Sequence, residues 1–239
     1  MPRPFLTHFR LEHHTLVIDL GKRQRVLSSA PRGGGLVRAR HILNHQVMAN
    51  PVPAPIPASK RRWDDPARRL GDVATQLAAD RNCVALMTAV PLAQLVTLRE
   101  ESDGVWVEGF FTVGVANAVK AGEPAVGPNR GPVQPALGTI NIILVTNARL
   151  SSSALVGAVQ VATESKTAVL LSKNVPSWTG SPGATGTGTD AVVITCGTGP
   201  ALRYSGTPTK IGEMIGRLVQ RGVTKGLLST KHAKTQHLR

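Results

Sequence analysis

The sequence predicts an α+β fold, in which a single domain packs helices against a mixed β-sheet. Short β-branched segments interleave with amphipathic segments of helical period along the 239 residues. An Asp103-Gly104 pair between two apolar runs predicts a β-hairpin in mid-chain, which a pure repeat of strand–helix–strand units does not contain. Apolar residues make up 41% of the chain and charged residues 18%, so a sizeable core can form. A layered α/β fold is the alternative.

The first third of the chain is predicted to alternate strands and helices. Two strands, a helix, a proline-rich loop and a second helix are predicted at 14–20, 25–29, 37–48, 50–62 and 66–80. The strands follow from alternating apolar residues, with a turn at Gly21-Lys22. The helix at 37–48 follows from apolar residues near helical spacing. The helix at 66–80 is amphipathic, with Pro66 at its first position and Asp64 or Asp65 as its cap.

The rest of the chain is predicted to continue the same pattern. Strands are predicted at 84–89, 96–101, 105–115, 139–146 and 191–195, and helical segments at 91–95, 115–124, 154–172 and 209–223. The strand at 139–146 is continuously apolar, which predicts burial on both faces. Ser151–Ser153 provide the cap of the long helix, and Pro176 ends it. Glycine-rich loops at 28–36, 127–138 and 176–189 allow a ligand to approach the backbone closely.

One domain is predicted over residues 1–223, followed by a basic, flexible tail at 224–239. The net charge of +14 lies at the two ends of the chain. Residues 1–69 carry thirteen Lys and Arg against four acids, and residues 203–239 carry eight against one, whereas residues 70–202 carry seven against nine. The eight aromatic residues do not interleave with the basic runs, so a base-stacking surface is missing. We therefore expect no specific nucleic-acid partner.

Targeting signals are also missing from the sequence. No uninterrupted apolar run approaches the ~20 residues that span a bilayer, and the N-terminal residues lack the apolar segment of a secretory signal. Cys83 and Cys196 offer neither a disulfide framework nor zinc-ligand spacing. The sequence therefore predicts a cytoplasmic protein without a membrane partner.

The most distinctive motif is ATGTGTDAVVI, from Ala184 to Ile194. Three threonines alternate with glycines, Asp190 follows, and a short apolar strand begins. We call Thr185–Asp190 the Gly–Thr comb. Loops that cradle phosphate have the opposite order, with the strand before the glycines and a helix after them. The order of the elements therefore argues against a phosphate or nucleotide site.

Six stretches, in this order between Val26 and Val219, resemble motifs of the adenosylcobinamide amidohydrolases. They are VLSSAPRGGGL, ARHILNHQV, TVGVANAVKAG, GTINIILVTNARLSSSALVGAVQVATESKT, ATGTGTDAVVI and GTPTKIGEMIGRLV. The resemblance implies hydrolysis of the amide that joins aminopropanol to the corrin ring, which releases adenosylcobyric acid in corrinoid salvage. It also implies a corrinoid substrate whose cobalt belongs to the substrate, so no cofactor is expected. Pro208 departs from the family pattern, where histidine is common.

Neutral hydrogen-bonding residues in these motifs are the candidates for contact with a corrinoid, whose rim carries carboxamides. These candidates are Ser28, Ser29, Gly34, Asn44, Asn117, Asn141, Asn147, Thr185, Thr187 and Thr189. A serine at 28 or 29, or a threonine of the comb, is also a candidate nucleophile.

Amide hydrolysis needs a base, donors for the oxyanion and an acid for the leaving amine. The carboxylates in the central motifs are Asp190 and Glu164, and a shared cleft would separate their pKa values. The alternatives are that Asp190 caps the glycine loop and that Glu164 pairs with Lys166 or Arg149.

His41 and His45 are the other candidates for acid–base chemistry. Their spacing of four places them on one face of the predicted helix, as a source of a general base. The H-E-x-x-H pattern of zinc hydrolases is absent, and we expect no metal. A corrinoid-binding protein without catalysis is the alternative function, and a homo-oligomer is possible for either.

Overall fold

The computed structural model describes residues 4–47, 65–124 and 138–236, with side chains up to Ser229. The strands of its main sheet are β1 His8–Glu12, β2 Thr15–Ser28, β3 Gly35–Gln46, β4 Val84–Thr88, β5 Val96–Ser102, β6 Val105–Val113, β8 Ile140–Thr146 and β11 Ala191–Thr195. They form one mixed sheet in the order β4-β3-β2-β11-β8-β6-β5, with β1 on β2. Two-residue strands form two small separate sheets, β7 Ala118–Val119 with β10 Gly186–Thr187 and β9 Arg149–Leu150 with β12 Ala201–Leu202. This architecture confirms the α+β prediction.

The long strand β2 connects two halves of the sheet. Its first part pairs with β1, and its last residues, Val26–Ser28, pair with β11. Between them the register with β3 shifts between Asp19 and Gln24, and Gly21 has a φ of +73°. This irregularity bends the strand. The sheet therefore curls, and residues of β2 such as Ile18 form one buried cluster with Phe110 of β6 and Ile143 of β8.

Helices cover both outer faces of the curled sheet. α1 Pro66–Gln76 lies on one side, where it packs Leu70 against Val17 and Leu43. On the opposite side, α2 Ser152–Ser172 and α3 Lys210–Gln236 pack on β5, β6, β8 and β11. α3 lies close to β6, because a Cβ at Gly222 would come 2.6 Å from the ring of Phe111. The first half-sheet consists of β1, β2, β3 and β4, and the second consists of β11, β8, β6 and β5. The order of layers is α1, the first half-sheet, the second half-sheet, and then α2 with α3.

The N-terminal segment closes one end of the core between the half-sheets. Glu108 of β6 is fully buried, and its carboxylate accepts hydrogen bonds from Leu6 N at 2.6 Å and Thr7 N at 3.0 Å. The guanidinium of Arg99 lies 3.3 Å from the same carboxylate. A buried carboxylate is stable only with such partners. The residues before β1 are therefore fixed to β6.

Several predicted elements are confirmed. The Asp65 side chain caps α1 by accepting from Ala67 N, and Pro66 is its first residue. Ser151 caps α2 in the same way. Asp103 and Gly104, both with positive φ, make the turn between β5 and β6. β4, β8 and β11 lie where they were predicted, and all seven residues of β8 are buried.

Four local predictions were wrong. The helix at 37–48 is instead the strand β3, which is covered by α1 on one face and by the inner core on the other. A strand buried on both faces carries apolar residues without alternation, so its pattern imitates that of a helix. The strands at 14–20 and 25–29 are one strand, since Gly21 makes an irregularity and no reversal. The segment at 115–124 contains β7 in place of a helical turn.

The fourth correction concerns the last helix, which continues to Gln236 and does not end at Val223. Leu227 is buried in the core against the sheet, so the helix is held beyond its predicted end. The proline-rich loop at 50–62 lies outside the described residues, as does the loop at 127–138 except for Gly138. Among the described helices, α2 is apolar and long enough to cross a membrane, but half of its most apolar window is buried inside the protein.

Candidate active site

The Gly–Thr comb contains a short strand that belongs to a small separate sheet. Gly186 and Thr187 form β10 and pair with Val119 and Ala118 of β7. The chain then turns through exposed residues and enters β11 directly after Asp190. The alternating glycines and threonines therefore carry a narrow strand and a turn that present Thr187 and Asp190 side by side.

Asp190 is the centre of the hydrogen bonds in the comb. Its Oδ1 accepts from Ile140 N at 2.9 Å and from the Thr187 hydroxyl at 2.5 Å. Its Oδ2 accepts from Thr187 N at 3.0 Å and from the ammonium of Lys166 at 2.6 Å. Four donors thus converge on one carboxylate, which fixes its orientation.

Lys166 brings a second charge into the same place. It projects from α2, and its side chain is only 9% exposed, against 14% for Asp190. Burying either charge alone would be costly, so the two ions depend on each other. Gly186 leaves the room for this pair, because a Cβ there would lie 2.5 Å from Asp190 Oδ2 and 2.8 Å from Lys166 Nζ. This close approach explains one glycine of the comb.

The turn of the comb is attached to the beginning of β8. The Thr139 hydroxyl donates to Thr189 O at 2.8 Å, and the Thr189 hydroxyl donates to Gly138 O at 3.2 Å. Thr185 is committed to the local structure, since its hydroxyl accepts from Ala121 N. Of the three threonines, Thr187 contacts the ion pair and Thr189 lies on the exposed rim.

A buried polar network lies beside Thr139, on the inner face of the sheet. Asn141 donates from Nδ2 to Asn44 Oδ1 at 2.9 Å and to Met87 O at 2.8 Å. Asn44 in turn donates to the Thr112 hydroxyl at 3.1 Å. Asn44 and Asn141 are each 1% exposed, so in this conformation they hold the half-sheets together without reaching solvent.

His41 and His45 lie on the other face of β3 from Asn44, because alternate residues of a strand point to opposite sides. The ring of His41 accepts from Asp80 N at 3.0 Å, and His45 Nδ1 lies 2.9 Å from the Thr15 hydroxyl. Burial lowers the pKa of both imidazoles. The half-sheet therefore separates both histidines from the inner network, and the helix on which their pairing rested does not form.

The serines of the first motif lie near the start of β11. Ser28 is buried and accepts from Ala30 N, whereas Ser29 is exposed and accepts from Val192 N at 3.0 Å. Ser29 thus lies beside Val192, which is two positions after Asp190 in the chain. Gly34 packs against Ala30 O, which a Cβ would approach to 2.8 Å.

The remaining candidates are dispersed. Glu164 is exposed on α2, and Lys166 pairs with Asp190, so the predicted alternative of a Glu164–Lys166 pair does not occur. Asn147 follows the far end of β8, about 20 Å from Asn141 along the strand, where it accepts from Trp106 N. Asn117 lies beside Gly138, near the comb, and its buried Oδ1 has no partner among the described residues.

Sequence reasoning missed Lys166. Its position was readable, because Ala162, Lys166 and Val169 share the buried side of α2. A lysine within an otherwise apolar helical stripe needs an anionic partner. Among the residues whose side chains are described, no cluster of three or more His, Cys, Asp or Glu could hold a metal ion.

The profile of the adenosylcobinamide amidohydrolases matches residues 5–235. The chain belongs to this family. An adenosylcobinamide amidohydrolase of Methanosarcina mazei is 31% identical over 229 residues, which cover 92% of this chain and 96% of that protein. An uncharacterised protein of Methanocaldococcus jannaschii is 30% identical over 239 residues, with 93% and 89% covered. The comb and the Lys166 helix thus lie within the matched region of an amidohydrolase family.

Two solved structures are partly similar in shape. A protein of Pyrococcus horikoshii OT3 gives a TM-score of 0.43 at 10% identity, with 93% of this chain and 83% of that chain covered. A β-aminopeptidase of Burkholderia sp. gives 0.42 at 11% identity, with 89% and 78% covered.

Proposed function

We propose that this protein hydrolyses the amide between aminopropanol and the corrin ring of adenosylcobinamide, and that the comb carries the reaction. The product is adenosylcobyric acid, and the reaction serves corrinoid salvage in the cytoplasm. Family membership supports the substrate class. The observation that carries the site is the contact of the Thr187 hydroxyl with Asp190, whose other oxygen is held by Lys166.

These three side chains match the general arrangement of nucleophile, base and orienting group. Thr187 Oγ attacks the amide carbon as its proton passes to Asp190, and a tetrahedral oxyanion forms. The C–N bond then breaks as that proton passes to the leaving aminopropanol nitrogen, which leaves an ester on Thr187. Water hydrolyses the ester and restores the hydroxyl. Lys166 keeps the carboxylate oriented throughout.

The rim of the comb supplies the groups that hold the amide. Gly188 and Thr189 are exposed directly beside the ion pair, and a Cβ at Gly188 would meet open space. The backbone amide of Gly188 is a neutral donor, which suits a carboxamide and a developing oxyanion.

The test follows free aminopropanol and the new corrinoid carboxylate after incubation with adenosylcobinamide. Thr187→Val removes the hydroxyl with little change in shape and should lower kcat by ~100-fold or more. Thr187→Ser is the matched control and should keep most of the activity, as should Glu164→Gln on the exposed side of α2. Full activity of Thr187→Val together with loss in Ser29→Ala would move the nucleophile to Ser29.

A corrinoid-binding protein without catalysis is the second candidate. The observation that favours it is that four donors already engage Asp190, an arrangement that also suits a structural cap. Tight binding of adenosylcobinamide by the unmodified protein, without product over a range of pH and added divalent metals, would establish this function and exclude hydrolysis.

A further inference from the structure

A cavity of about 440 Å³ lies apart from the comb, between the β2–β3 loop, the beginning of α1 and the turn before β4. Three arginines line it, namely Arg32, Arg38 and Arg81. The described lining contains no Asp or Glu. Its volume falls in the range of small-molecule pockets, about 300–1,000 Å³. We call it the arginine pocket.

Arg32 is built into the wall of this pocket. Its Nη1 donates to Ala67 O at 3.1 Å and its Nη2 to Arg81 O at 2.7 Å. The helix beside it has Gly71, where a Cβ would lie 2.8 Å from Nη1. The backbones of Arg32 and Ala85 of β4 each donate a hydrogen bond to the other, and these two bonds fix the loop that carries Arg32. The guanidinium is therefore held in place by the fold, before any ligand is present.

The charges in the pocket are not neutralised by the protein around it. The Nε–H of Arg32 is buried and has no acceptor among the described residues. Burial raises the pKa of the neighbouring Cys83 thiol, and a hydrogen bond with the Arg32 side chain offsets only part of this rise. The thiol therefore brings no negative charge to the pocket at neutral pH. No described residue makes an ion pair or a hydrogen bond with the guanidinium of Arg38 or of Arg81, and both residues are exposed. A bound anion would accept a hydrogen bond from the buried donor and would reduce the repulsion among the three positive charges at this cavity.

Two carboxylates that lie close to the pocket residues in the sequence, Asp65 and Asp80, are engaged elsewhere. Asp65 caps α1 through Ala67 N. Asp80 accepts two hydrogen bonds from Arg23, at 3.0 Å and 3.2 Å. Neither lines the arginine pocket.

We propose that the arginine pocket binds the phosphate of a small phosphorylated molecule no larger than a nucleoside monophosphate. A guanidinium group donates a pair of parallel hydrogen bonds to two oxygens of a phosphate or a carboxylate, and chloride cannot accept such a pair. A phosphate has a third free oxygen, so it can accept from more than one arginine at once. Arg38 and Arg81 supply these bonds from the open side, and Asn82 adds a neutral amide to the lining. This binding activity is independent of the proposed hydrolysis.

The test is titration calorimetry of the full chain with inorganic phosphate, adenosine monophosphate and adenosine, with chloride held at constant ionic strength. We expect binding of both phosphates and none of adenosine. Tighter binding of the nucleotide identifies a nucleotide pocket, whereas equal affinity identifies a site for free phosphate. Equal responses to phosphate and to added chloride would overturn the proposal.

Two variants and a control assign the binding to these residues. Arg38→Gln and Arg81→Gln should each weaken phosphate about 10-fold, the usual effect of losing one charge-assisted hydrogen bond. Arg203→Gln removes an arginine outside the pocket and should leave the affinity unchanged. The thermal midpoints of both pocket variants without ligand should not fall, because like charges are removed. Unchanged affinity in the pair of pocket variants would refute the assignment.

Discussion

A double-mutant cycle can measure how strongly the buried charges of Lys166 and Asp190 depend on each other. Asp190→Asn keeps an oxygen for Ile140 N but places an NH₂ group where Oδ2 now accepts from Thr187 N and from Lys166. Lys166→Met removes the ammonium and leaves the carboxylate without its counter-charge. Each single change therefore leaves a charge or a donor buried without a partner.

The expected magnitudes follow from burial. With side chains 9% and 14% exposed, solvent compensates little, and each single variant should lose about 3 kcal/mol of unfolding free energy. The double variant contains no unpaired charge and retains mainly the mismatch between the introduced NH₂ group and Thr187 N. It should lose only about 2 kcal/mol, so the coupling energy is about 4 kcal/mol.

Urea unfolding of the four proteins at pH 7 measures these values, with tryptophan fluorescence as the signal. Glu164→Gln, on the exposed side of the same helix, is the control and should change stability by less than about 0.5 kcal/mol. Losses that add within about 0.5 kcal/mol would mean that the two ions do not interact, and the reasoning on the comb would fail.

Three further results are expected. Gly186→Ala forces a methyl to within 2.5 Å of the Asp190 carboxylate and should lower both the thermal midpoint and the rate of hydrolysis, whereas an unchanged midpoint would contradict the close approach. Glu108→Gln weakens the attachment of the N-terminal segment and should cost about 3 kcal/mol in urea unfolding, with faster proteolysis of the first residues as a second measurement. The guanidinium of Arg40 holds the pKa of Asp19 well below its usual range, so Asp19 stabilises the fold above its ordinary value of 3.8 and this contribution is lost as pH falls through the lower folded pKa. Stability of the unmodified protein should thus exceed that of Asp19→Asn by about 1 kcal/mol at pH 6, and this excess should shrink steadily as the pH falls below 3.8. An excess that is the same at pH 2 as at pH 6 would refute the role.

The elements with local signals could be predicted from the sequence. Asp65 with Pro66, Ser151, and the Asp103-Gly104 turn specify their caps and hairpin through side chains adjacent in the chain. The strand β3 could not be distinguished from a helix, because its burial on both faces depends on α1 and on β6, which are remote in sequence. The spacing of apolar residues distinguishes a helix from a strand only when one face of the segment is buried. When both faces are buried, as in β3, a short apolar segment fits either structure.

The same distinction between local and remote contacts explains why only part of the candidate site was predicted. Asp190 and Thr187 are three residues apart, so their contact follows from the comb itself. The role of Lys166 depends on how α2 lies over β11, 24 residues away. His41 and His45 share a face in a strand as they would in a helix, but it is the face towards α1, a direction that their spacing alone cannot reveal.

The strand β2 has a consequence for the order of events during synthesis. Its neighbour β11 lies late in the chain, since Ser29 and Val192 are 163 residues apart. A ribosome adds about 5–20 residues per second, so β2 waits on the order of ten seconds or more for this partner. During that time the end of β2 at Val26–Ser28 is unpaired on one edge, and the apolar inner face of the first half-sheet is uncovered. These are the conditions under which nascent chains aggregate. The yield of native protein should therefore depend on translation speed and on chaperones that bind apolar strands.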